Sequence, residues 1–165
     1  MDTKTIIVTL VTDRTQADVE RVRELAAKGF AAMTSDEQAE WLAGMKGAYN
    51  AADLNRVGTA LNYLAVRLSS ICGRSIAWTA KTDWAVTDIQ TASQAAEYRR
   101  QIQDIRDALA YPAGTPDVPQ LARLTYIGAN DIERILALCE DLIVNVAKSF
   151  RHTGAAECAA GGLLT

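Results

Sequence analysis

The chain has 165 residues, 49% of them hydrophobic and 22% charged, with a formal net charge of -3. A chain of this size buries roughly 68–70% of its unfolded surface, so one domain with a real core is expected. The acidic balance argues against nucleic-acid binding, which needs a clustered basic face to displace counterions.

In chain order, TIIVTLVT over residues 5–12 is short and β-branched and reads as a strand or extended arm. A lone strand needs a partner for its backbone groups. DRTQADVERVRELAAKG follows as a helix capped by Asp13 or Thr15, stopped by Gly29, with Val19, Val22, Leu25 and Ala26 on one face. In TSDEQAEWLAG, Thr34 and Glu37 make a capping box and Gly44 ends a short helix. Residues 45–49 connect it to a helix opened by Asn50 or Asp53. There Leu54, Val57, Leu61, Leu64, Leu68 and Ile71 form a heptad-like seam, and Gly73 closes it.

SIAWTAKTDWAVTDIQ loses the helical period and reads as an extended crossover pinned by Trp78 and Trp84. Thr91 and Gln94 open the next helix, whose buried face carries Tyr98, Ile102, Ile105 and Leu109. All three prolines lie in the rigid loop YPAGTPDVPQL. The last helix spans about Tyr126 to Phe150, with a wide apolar stripe through Ile132, Ile135, Leu136, Cys139, Leu142, Ile143 and Val146. The end, RHTGAAECAAGGLLT, is small and Gly/Ala-rich and reads as an extended tail.

The expected fold is therefore mainly α: a compact bundle of about five helices with a short N-terminal β-strand or arm and an extended Gly/Ala-rich C-terminal tail. Residues 1–12 form the arm and 13–150 the helical domain. Sub-lobes 13–73 and 91–150 are joined by the 74–90 crossover, and 151–165 form a docking tail.

No catalytic, metal or cofactor site emerges. His152 is the single histidine, six residues before Cys158, and reads as a surface residue near the tail rather than half of a nucleophile pair. Asp104, Asp107, Asp131, Glu133, Glu140 and Asp141 lack the Glu-x-x-His pattern of bundle metal sites and read as solvated faces. Cys72 and Cys139 lie in apolar surroundings and read as small buried hydrophobes, and the three cysteines suggest neither a disulfide framework nor a zinc site. No Gly-rich phosphate loop occurs, no apolar run is long enough to span a membrane, and MDTKTIIVTLV lacks a cleavage site. Membrane insertion is not expected, and synthesis in a cytoplasm is.

Across about residues 8–150, TDRTQADVERV, MTSDEQAEWLAGMKGAYNAADLNRV, KTDWAVTDIQTASQAAEYRRQIQDIRDAL and LTYIGANDIERILALCEDLI follow one another around a Pro loop. This series resembles a family of minor structural proteins, encoded among the tail genes of phages and prophages of Gram-positive hosts. The segment after the last helix departs from the family's aromatic, Ser-Gly-Glu pattern. The resemblance implies a non-enzymatic virion component, tail- or baseplate-associated, made in the host cytoplasm and binding other virion proteins as a homo-oligomer in a symmetric assembly. Head attachment is the alternative location. No catalytic residues carry across, and no cofactor or nucleic-acid partner is implied. The expected docking residues are Ile6, Val8 and Leu10 in the arm and Phe150, His152, Cys158 and Leu163 at the end. The rival reading is a receptor- or glycan-binding module at the tail tip, using Trp78, Trp84 or the 44–50 connector.

Overall fold

A computed structural model describes Ile7 and residues 9–161, the side chains of 151–161 excepted. Its helices are α1 (Gln16–Lys28), α2 (Ser35–Ala43), α3 (Ala51–Cys72), α4 (Ala92–Asp107) and α5 (Tyr126–Gly161), with 3-10 turns at Phe30–Ala32 and Leu121–Arg123. Among the described residues there is no strand.

The caps explain where the first four helices begin. Thr15, Thr34, Asn50 and Thr91 each accept a backbone N–H in the first turn, and Asp18, Glu37, Asp53 and Gln94 return the bond. Thr125 plays the accepting part for α5, taking the Gly128 N–H at 3.1 Å. Gly73 ends α3 in the left-handed region, at φ 63°, where a side chain is penalised.

The core lies between α3 and α5, with α4 packed against both. The heptad-like seam faces this core: Val57, Leu61, Leu64 and Leu68 are fully buried against Ile132, Ile135, Leu136 and Ile143. Each such aliphatic side chain contributes roughly 1.5–3 kcal/mol relative to exposure. Ile102 and Ile105 complete the cluster from α4.

Two extended segments run over the helices without forming a sheet, so their backbone groups need other partners. For the crossover, asparagines on α3 supply them. Asn62 accepts the Ala80 N–H at 2.7 Å and donates to its carbonyl at 3.0 Å. Asn55 does the same to Trp84, at 2.7 and 2.9 Å. The asparagines are seven residues apart, about 10.5 Å along a helix, close to the roughly 13 Å of four extended residues. Between them a Cβ on Gly58 would lie 2.3 Å from the Lys81 carbonyl oxygen, so only glycine admits the crossover at this distance. For the Pro-containing segment, arginines of α4 supply donors: Arg106 Nε reaches the Pro116 carbonyl at 2.7 Å and Arg99 Nε the Pro119 carbonyl at 3.3 Å. Each segment inserts one small apolar side chain into the core, Ala80 and Val118.

Three expectations change. The strand over residues 5–12 falls partly on Met1–Ile6 and Val8, outside the described residues. In the described part, Leu10 donates to the Ile7 carbonyl at 3.3 Å in a turn, and Ile7 and Leu10 pack on the core. The last helix continues to Gly161 rather than stopping at Phe150, so the backbone of 151–161 is helical and not an extended tail. Four alanines in that stretch are the strongest helix formers. Residues 162–165 lie outside the described residues. Finally, Glu133 is fully buried, not on a solvated face.

Candidate functional site

Two regions stand out, and Tyr49 touches both. The first is a buried ionic cluster. Arg14, just before α1, is 4% exposed and Glu133 on α5 is 0% exposed. Arg14 Nη2 donates to Glu133 Oε1 at 2.6 Å and to Asp53 Oδ1 at 2.7 Å. Arg56, one turn after Asp53 on α3, reaches Glu133 through Nε at 2.9 Å and Nη2 at 2.8 Å, and also pairs with Asp53. Two guanidiniums thus face two carboxylates and the cluster is neutral. Burial works against the Arg56 charge, but Glu133 and Asp53 outweigh it and raise its pKa.

The cluster also holds backbone. Glu133 Oε2 accepts the Val11 N–H at 2.5 Å. Asn130, one turn earlier on α5, accepts the Arg14 N–H at 3.0 Å and donates to the Arg14 carbonyl at 2.9 Å. This is the same two-way clamp that Asn55 and Asn62 make. Residues 11–14 are therefore pinned to α3 and α5 at once. The Arg14 guanidinium lies 5.6 Å from the Tyr49 ring centre.

The second region is an open groove of about 940 Å³. Its walls come from the end of α2, the 44–50 connector, the start of α3, the 84–90 loop and the 121–124 turn. Tyr49 and Tyr98 share its lining, and their hydroxyls meet at 2.6 Å. Burial pushes both phenols above their ordinary range, so neither is an activated nucleophile or base at neutral pH. Trp84 is 8% exposed and half-buried Trp41 lies in the same lining. Large apolar side chains point outward at the mouth: Leu42 is 74% exposed and Val86 96%. Ile89, between the lining residues Asp88 and Gln90, is 88% exposed.

The tryptophans proposed for binding do not share one site. Trp84 meets the connector in the groove, whereas Trp78 donates to Asp104 at 2.7 Å beside a separate cleft that includes Arg74 and Arg100. Leu10 is packed on the chain's own core and Phe150 is 64% exposed. Ile6, Val8 and Leu163 lie outside the described residues, as do the side chains of His152 and Cys158. Cys139 is buried, and that burial pushes its thiol up to about 11.

The ionic cluster escaped the sequence reading, although it left a signal. Glu133 falls among Ala129, Ile132 and Leu136 on the buried face of α5, and Asp53 precedes Val57 by one turn on the buried face of α3. A charge at a core position needs an opposite charge.

Among the described residues no group of three or more His, Cys, Asp or Glu side chains is placed to hold a metal, and no helix is long and apolar enough to cross a membrane. No protein-family model matches the chain, no curated protein matches it, and no solved structure matches its fold.

Proposed function

We propose that this chain is a non-enzymatic structural component of a bacteriophage virion, tail- or baseplate-associated, which works by docking to neighbouring subunits. The observation that supports this reading is where the chemistry is spent. The charges of Arg14, Asp53, Arg56 and Glu133 hold backbone and one another, while exposed Leu42 and Val86 line one groove, with exposed Ile89 beside it in the chain. Gathered apolar exposure is the mark of an interaction surface. The sequence resemblance over residues 8–150 supplies the setting.

The test is location. A tag inserted at the exposed Gly114 turn should be found on purified particles by electron microscopy, at a fixed position along the tail. A tag recovered in free cytosolic protein alone would sink the reading, and one at the head would move the chain to the alternative site.

A receptor- or glycan-binding role is the second reading, supported by Trp41 and Trp84 sharing the groove with the side-chain amide of Asn50. It predicts glycan-array binding that Trp84→Ala abolishes. Failure to bind any host surface fraction removes it.

A further inference from the structure

The groove carries both halves of a self-complementary contact. It is a concave apolar surface, and the loop forming one wall projects Val86 and Ile89 into solvent. A knob and a hole on one face are what an isologous two-fold interface requires, because each copy must offer both. The charges follow the same rule. Asp88 and Arg123 line the groove. The Asp88 carboxylate accepts only the Ala85 N–H, at 2.9 Å, among the hydrogen bonds and ion pairs of the described residues, and Arg123 has no side-chain partner there. One unused anion and one unused cation on the same face become two ion pairs across a two-fold axis.

We propose that this groove is the self-association surface of the chain. A second copy docks face to face, its Val86 and Ile89 entering the groove and its Asp88 meeting Arg123, with the reciprocal contacts alongside. This deepens the assembly role proposed above by naming the surface through which copies join. It is tested on purified protein, without any particle.

Sedimentation velocity over a concentration series should show a monomer–dimer equilibrium. Val86→Asp should shift it to monomer at concentrations where the parent is dimeric. Val86 is almost fully exposed, so this substitution spares the fold, and an unchanged helical circular-dichroism signal verifies that. Asp88→Arg and Arg123→Asp should each weaken dimerisation about tenfold or more, and the double exchange should restore it, because the pairs re-form with reversed sign. A parent that stays monomeric up to about 1 mM overturns the proposal. So does a dimer indifferent to Val86→Asp, or a double exchange no better than either single change. A chain found in particles yet monomeric alone would overturn this inference and leave the virion reading standing. A dimer absent from particles would do the reverse.

Discussion

The ionic cluster and the groove share Tyr49 yet solve opposite problems. In the cluster, both carboxylates are matched by guanidiniums, and Asn130 takes up both backbone groups of Arg14. At the groove, Leu42, Val86 and Ile89 face water, and Asp88 and Arg123 lack ionic partners among the described residues. The first region pairs its charges within one chain, with only Arg14 Nε sealed without an acceptor, and the second leaves charge and apolar surface open to solvent. Polar residues are thus no guide to function here: the charge-rich site builds the fold, and the apolar site faces outward.

The sharpest way to break this contrast is Glu133→Gln. It keeps the shape but leaves the buried Arg14 and the half-buried Arg56 guanidiniums facing the single carboxylate of Asp53. Removing one partner from a buried ionic group strands charge away from water, so a loss of about 3–5 kcal/mol is expected in urea unfolding. A loss under about 1 kcal/mol would mean that water reaches the cluster and relieves it. Arg14 reaches across 119 residues of sequence to Glu133, so the same variant should also free residues 11–14 in hydrogen exchange.

Gly58→Ala comes next. Helix propensity alone favours alanine by about 0.8–1 kcal/mol. The new Cβ would lie 2.3 Å from the Lys81 carbonyl oxygen, so the crossover must shift. A net destabilisation of about 1–3 kcal/mol is expected, because crowding outweighs propensity. Trp84 ends the clamped stretch and walls the groove, so its fluorescence should change as well. A stabilised variant would show that the crossover is loosely seated, and the groove wall with it.

The reach of the sequence follows the range of each interaction. Thr34–Glu37 and Thr91–Gln94 are three residues apart, and their boxes are visible in the string and present in the fold. The Leu54–Ile71 seam is a local period and visible in the string, but that it faces the chain's own core rather than another subunit is visible only in the fold. Arg14 was invisible because its partners lie 39 and 119 residues away. Asn55, Asn62 and Asn130 look like ordinary polar helix residues until an extended segment lies against them. The groove was half legible: the 44–50 connector and Trp84 were both singled out, but their meeting depends on the path of the crossover. Trp78 was grouped with Trp84 by proximity in sequence, and the clamps at Ala80 and Trp84 carry the chain from one to the other.

Val86→Asp is the counterpart of Glu133→Gln. It places a charge where the side chain is 96% exposed, so stability should stay within about 0.5 kcal/mol of the parent. Thermal melts at low concentration, where association does not contribute, measure this. A large loss would mean that the loop is part of the fold's interior economy, and the contrast between the two regions would fail.

The smallest effect separates a carboxylate at the surface from one inside. Glu37 closes the α2 capping box by accepting the Thr34 N–H at 2.7 Å, and Lys28 reaches the same carboxylate. The Lys28 bond and the Thr34 N–H hold its pKa at about 2, down from an ordinary 4.5. A carboxyl depressed on folding stabilises above its unfolded pKa, and that contribution is lost as pH falls through the folded value. The window therefore runs from about pH 4.5 down to about 2. Glutamine at this position still closes a capping box but does not titrate. Glu37→Gln should flatten the melting temperature against pH within that window and leave neutral pH nearly unchanged. Salt should weaken the Lys28 share, which lies in solvent, and spare the share due to the Thr34 N–H. If the variant and the parent lose stability in parallel from pH 4.5 to 2, the acid limb belongs to other carboxylates and the α2 cap plays no part in it.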